Sequence, residues 1–210
     1  MYKKFIHNLK TELSNPLPGL KEQVKMAPLP VNTSRFDYEH KEKAKLSGVM
    51  ILLYPDNGTI KFPLIERTKY PGVHSGQISF PGGKYEQEDM DLIQTAKRET
   101  YEEVGVELKS INVIGKLSEL YIPPSNFMVH PCIGFLDEKP DFIEEEHEVV
   151  KVIETDINIL FDESIVKSKV EKKYNKFTMD IPYFDIDGHM VWGATAMMLS
   201  EVKDLLKATL

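Results

Sequence analysis

Cysteine is almost absent from this sequence: Cys132 is the only one in 210 residues. A lone thiol excludes an intramolecular disulfide and suits a reducing compartment. Its neighbours Pro131 and Ile133 predict a thiol buried in a strand rather than a nucleophile. Long apolar runs are missing too. No stretch approaches a membrane span, and the opening MYKKFIHNLKTELS lacks the apolar centre of a secretory signal, so a cytoplasmic protein is expected. Basic charge is in deficit, with 26 Lys and Arg against 33 Asp and Glu and a formal net charge of −7. That balance argues against nucleic acid or an anionic membrane as partner, and any phosphate-bearing ligand then needs local cations or a metal. His74, His130, His147 and His189 are scattered without zinc-like spacing, and none is assigned to a metal. The chain has no internal repeat and no low-complexity tract.

What remains, with 41% hydrophobic residues, is enough to bury the core of one ordinary domain. Phe5, Ile6, Leu9 and Leu13 fall at helical spacing and predict an amphipathic helix over 2–13, ended by Asn15-Pro16-Leu17-Pro18-Gly19. Residues 21–43 are charged, contain proline and have no strong period. The expected division is therefore 1–43, a helix and connecting segment packed on the body, and 44–210, the main domain. Strands are expected over 48–54 and 61–67 around an Asp56-Asn57-Gly58 turn, and over 77–80 after a loop carrying Pro71, Gly72 and Gly76. Further strands are expected over 112–120 and 128–136 around Pro123-Pro124, and over 149–154, 167–170 and 178–184. A short helix is expected near 157–161 and an amphipathic one over 195–206. A mixed sheet flanked by two helices is an α+β fold with α/β/α layers.

The centre of the chain is FPGGKYEQEDMDLIQTAKRETYEEVGV, residues 80–106. A helix is expected from about Glu88 to Gly105, where a left-handed C-cap is wanted. Glu99, Glu102 and Glu103 are related by i, i+3 and i+4 and project from one side, while Ile93, Ala96, Thr100 and Val104 form a separate stripe for the core. Like charges at this spacing destabilise an isolated helix by a few tenths of a kcal/mol per pair, roughly, and a divalent cation would offset the repulsion.

From Arg98 onward this stretch resembles a Nudix box, G-x5-E-x7-R-E-U-x-E-E-x-G-U with U apolar. Arg98-Glu-Thr-Tyr-Glu-Glu-Val-Gly-Val106 matches every fixed position, with Thr100 standing where an apolar residue is usual. The first half is one residue longer than the pattern, so counting forward from Gly83 puts Asp89 in the glutamate slot and counting back from Arg98 puts Met90 there. Upstream, Leu64-Ile-Glu-Arg67 through Gly76-Gln-Ile-Ser-Phe80-Pro-Gly-Gly83 is similar to the signature of the coenzyme A pyrophosphatase branch, which carries the same expansion. Glu66 and Thr68 stand where Thr and Ser are expected. Val191-Trp-Gly-Ala-Thr-Ala196 is similar to that branch's usual ending.

The resemblance implies hydrolysis of the pyrophosphate of coenzyme A or its thioesters, with Mg2+ or Mn2+ held by Glu99, Glu102 and Glu103 and Arg98 orienting a glutamate. It leaves a base from the box, Glu99, beside one from a distant loop. Glu144, Glu145, Glu146 and Glu148 make a second acidic cluster, of which Glu148 is the remote candidate, against the alternative of a solvated loop. Arg67 and Lys69 are the cations expected at the substrate, and Gly82 and Gly83 the turn that approaches it. Other nucleoside diphosphate derivatives, such as ADP-ribose or a dinucleotide, and a non-catalytic Nudix-like binding protein are the alternatives. A homodimer is left open.

Overall fold

The computed structural model describes residues 1–30, 43–69, 71, 74–172 and 178–209. Most of the expected connecting segment, together with Gly72 of the expected loop, lies outside the described residues. The helices are α1 (Tyr2–Glu12), α2 (Leu20–Gln23), α3 (Leu92–Val104) and α4 (Gly193–Lys207). The strands are β1 (Lys45–Asp56), β2 (Thr59–Arg67), β3 (Ile78–Ser79), β4 (Gly82–Lys84), β5 (Asn112–Lys116), β6 (Leu120–Ile122), β7 (Phe127–Phe135), β8 (Val149–Asp156), β9 (Val166–Lys172), β10 (Thr178–Ile186) and β11 (His189–Trp192).

β1 is the axis of the molecule. It pairs antiparallel with β2 and β4 and parallel with β7, so the large sheet, ordered β3-β2-β1-β7-β5, is mixed. Strand periodicity sends successive side chains to opposite faces. Val49, Ile51 and Leu53 enter one core, shared with α1 and α4, while Met50, Leu52 and Tyr54 enter a second, beneath Ala96 and Val104 of α3. A strand buried on both faces reads as a continuous apolar run. The two covered faces make the expected α/β/α sandwich of α+β class, and β9, β10 and β11 form a separate antiparallel sheet.

The N-terminal helix buries Phe5, Ile6 and Leu9 in the first core. A contact of a different kind ties the next segment down. The fully buried carboxylate of Glu201 on α4 accepts hydrogen bonds from the Gly19 amide at 3.1 Å, the Ser118 amide at 3.2 Å and the Gln23 side chain at 2.8 Å. This explains one departure from expectation. The strand expected over 112–120 breaks after Lys116 because the Ser118 amide goes to Glu201 instead of the sheet. The expected short helix over 157–161 is a 3-10 turn.

Candidate active site

Helix α3 starts four residues later than the sequence suggests. Asp91 caps it, accepting from the Gln94 amide at 2.8 Å, and the residues before it fold into a turn in which Asp89 accepts from the Glu86 amide at 3.1 Å. Gly105 closes the helix in the left-handed conformation, as expected, with φ 74°. Thr100 is buried and donates its hydroxyl to the Ala96 carbonyl at 2.6 Å, so a polar residue satisfies itself within the apolar stripe.

Arg98 organises one half of the site. Its Nε and Nη2 each lie 3.0 Å from a different oxygen of Asp89, and its Nη1 donates to Glu99 at 3.0 Å and Glu102 at 2.8 Å. Nη2 also reaches the Lys84 carbonyl at 3.1 Å, binding the helix to β4. The bidentate partner is therefore Asp89, which also accepts from the Thr95 hydroxyl at 2.8 Å. This guanidinium holds the Asp89 carboxyl down at about 2, against the opposing effect of burial. Met90, the other candidate for the slot, is 88% exposed.

Arg67 organises the other half. It donates through Nη1 to Glu103 at 2.7 Å and through Nη2 to Glu148 at 3.4 Å, the latter a loose contact. The second oxygen of Glu103 accepts from the Gly82 amide at 2.8 Å. Glu103 is only 2% exposed, and burial pushes its carboxyl up to about 7, with Arg67 opposing. Burial also raises Glu99, with Arg98 opposing, and the charges of Glu102 and Glu148 add to the rise. Glu148, the expected remote acid, is joined to the box through Arg67, the cation it shares with Glu103, and is itself exposed.

The glycines of β4 permit this crowding. Gly82 has φ 153°, which other residues rarely adopt. A Cβ added at Gly83 would lie 2.4 Å from the Glu99 carboxyl. Beyond β4 opens a cleft of about 630 Å³, walled near the box by Arg67, Gly82, Gly83 and Lys84. Its far wall is apolar, from Leu120, Ile122, Phe127, Val129, Met197 and Met198, with Trp192 at the head of α4 and Pro28 and Pro30 from the N-terminal segment. Lys69, just past the end of β2, is exposed and is not part of this wall. Sequence reasoning missed Lys84, although its position after Gly82-Gly83 signals it. It also missed Thr68 as a contact to the acidic loop.

The NUDIX domain profile matches residues 44–165. The chain belongs to the Nudix family. Nudix hydrolase 15, mitochondrial, of Arabidopsis thaliana is 32% identical over 184 residues, 84% of this chain, and the chain spans 62% of that relative's length. The uncharacterized Nudix hydrolase NudL of Pectobacterium atrosepticum is 27% identical over 168 residues, covering 78% of this chain and 82% of its own. Among solved structures, the NUDIX domain of Shewanella oneidensis NrtR complexed with ADP ribose matches with a TM-score of 0.51 at 14% identity, over 82% of this chain and 95% of its own. The MutT protein of Methanosarcina mazei Go1 matches with 0.50 at 15% identity, over 78% and 94%. At such identities these two likenesses establish the Nudix fold and no more.

The Nudix box expansion is resolved by the geometry: Asp89 fills the glutamate position and the extra residue is absorbed between it and the helix. Among the described residues, no three acidic, histidine or cysteine side chains form a ready-made cation cage. The donor set nevertheless fits a hard divalent cation. Glu99 and Glu102 both lie within 3.0 Å of one nitrogen of Arg98, and Mg2+ needs few protein carboxylates when substrate phosphates and waters complete its shell. Among the described residues, Asp89, Glu99, Glu102, Glu103 and Glu148 are moreover ion-paired only with Arg67 and Arg98.

Proposed function

We propose that this Nudix protein hydrolyses the pyrophosphate bond of coenzyme A or its thioesters, giving 4′-phosphopantetheine, or its acylated form, and adenosine 3′,5′-bisphosphate. The observation that carries the reading is the set of box carboxylates, ordered by Arg98 and Arg67, beside an apolar cleft that Arg67 and Gly82, both partners of Glu103, help to wall. Arg67 lies in the upstream stretch that resembles the signature of the coenzyme A branch. The methyl and methylene groups of a pantetheine arm, and any acyl group it bears, suit walls such as Leu120, Phe127 and Met198.

Glu99, Glu102 and Glu103 would hold Mg2+ or Mn2+, which when bound offsets charge on the phosphoryl oxygens and acidifies a water. Arg98 keeps Glu99 and Glu102 side by side, and Asp89 keeps Arg98 from turning to substrate. Glu148 takes the proton of the attacking water; it is exposed, and its charge acts on Glu99. Lys84 and Arg67 supply the positive charge at the box end of the cleft, and Gly82 and Gly83 let the substrate chain approach the backbone.

The test is to incubate the purified protein with Mg2+ or Mn2+ and coenzyme A, acetyl-coenzyme A, ADP-ribose or NADH, resolving products by chromatography. Coenzyme A or its thioester is expected to turn over fastest. Ready turnover of ADP-ribose with coenzyme A untouched overturns the substrate assignment, and no turnover of any of them overturns the enzyme reading in favour of a binding role.

A further inference from the structure

The acidic loop before β8 is held in place with more care than a solvated loop needs. The β2–β8 ladder shifts register between Glu66, which pairs with Lys151, and Arg67, which pairs with Val149. Val150 is left over as a bulge and is 56% exposed. A bulge re-aims the residues beside it. Past this point the Thr68 amide donates to the Glu148 carbonyl at 2.9 Å, and the Thr68 hydroxyl donates to the His147 carbonyl at 2.8 Å. One residue thus grips two successive carbonyls. From the other side, the Glu145 carboxylate accepts from the amides of His147 at 2.9 Å and Glu148 at 2.8 Å, and the Glu145 amide donates to the Glu103 carbonyl at 3.1 Å. The loop is stitched to the end of the box helix and to β2 at once.

We propose that Thr68 is a positioning residue for the reaction: with Glu145 it clamps the main chain of Glu148, whose carboxylate Arg67 contacts, so that this carboxylate is delivered to the box. The inference rests on the reading above, in which Glu148 accepts the proton. Among the described residues Thr68 does not line the cleft, and its hydroxyl goes to the His147 carbonyl, which separates its role from that of Arg67. An exposed side chain such as Glu148 samples many rotamers, and the value of the clamp lies in fixing where those rotamers begin. Serine in place of Thr68 keeps the hydroxyl, whereas valine keeps the shape and loses it.

The experiment compares Thr68→Val, Thr68→Ser, Glu148→Gln and the double variant Thr68→Val with Glu148→Gln. In steady state, T68V should lower kcat by about tenfold with KM within about twofold of wild type, as expected for lost alignment rather than lost substrate binding. T68S should regain the lost kcat. The double variant should be no slower than E148Q alone, since a clamp has nothing left to position. Hydrogen exchange, measured without substrate, should show the amides of Glu148 and Val149 opening faster in T68V and at wild-type rates in T68S. Wild-type exchange at these amides in T68V overturns the clamp whatever the substrate proves to be. So does T68V slowing E148Q by the same factor as it slows wild type, or T68V raising KM alone. Wild-type turnover by E148Q overturns instead the assignment of Glu148 as base, and with it the catalytic purpose of the clamp.

Discussion

Replacing Asp89 by asparagine tests the arrangement on which the whole site depends. The Asp89 carboxylate is 5% exposed and accepts from Arg98 Nε and Nη2, both at 3.0 Å, from Thr95 at 2.8 Å and from the Glu86 amide at 3.1 Å. An amide of the same shape removes the charge and points its own N–H groups at the donors of Arg98 or Thr95. The fall of the Asp89 pKa from 3.8 to about 2 corresponds to an interaction on the order of 2 kcal/mol. Breaking a buried pair outright costs about 3–5 kcal/mol. Arg98 retains Glu99, Glu102 and the Lys84 carbonyl, which places the expected loss at about 2–3 kcal/mol. For a chain of this size that lowers Tm by about 5–10 °C. Met90→Ala, at a residue 88% exposed, should stay within about 0.5 kcal/mol of wild type. Urea unfolding at unchanged m reads both values. The pH dependence adds a sign. A carboxyl with a lowered folded pKa stabilises fully above about 4 and loses that contribution as pH falls through about 2, so the gap between wild type and D89N should close over that range. D89N within about 0.5 kcal/mol of wild type, or M90A as damaging as D89N, refutes the placement of Asp89.

Three more expectations follow from the same geometry. Glu102→Gln should lower turnover at least about a hundredfold with Tm little changed, because Glu102 is half exposed and contacts Arg98 at 2.8 Å; wild-type turnover removes it from the metal site. Gly83→Ala should cost most of the activity, since its methyl group would lie 2.4 Å from the Glu99 carboxyl, and normal kinetics in that variant would show that Glu99 need not sit there. Glu103, raised from 4.5 to about 7 by burial, holds a proton in the folded protein between those values, so the metal-free protein should lose stability as pH rises through that window. Mn2+ binding should then tighten as pH rises through about 7, with close to one proton released per ion at pH 6 and almost none at pH 8.5, read by calorimetry in buffers of different ionisation enthalpy.

Several features of the protein were legible without coordinates because they follow from local periodicity. The apolar run of β1, the amphipathic α1 and α4 and the three glutamates on one side of α3 each repeat at the period of their own element. The stop at Gly105 is a local signal too. Where the helix begins was not legible, because Glu86, Asp89 and Asp91 are all suitable acids near a helix start and only hydrogen-bond partners decide which one caps. The break in the strand after Lys116 was equally hidden, since its cause is Glu201, more than eighty residues away in the chain.

The sequence by itself determined the family, the α+β class and the identity of the box carboxylates, all of which reside in short stretches with fixed spacing. Tertiary structure decided the rest. It chose Asp89 over Met90 by burying one against Arg98 and leaving the other in solvent. It turned Arg67 towards Glu103 and Glu148, and it left Lys69 outside the cleft wall. It also brought the loop of Glu148 to the box through Thr68. Charge pairing across a fold depends on distances between segments remote in sequence, and no spacing within one segment encodes them.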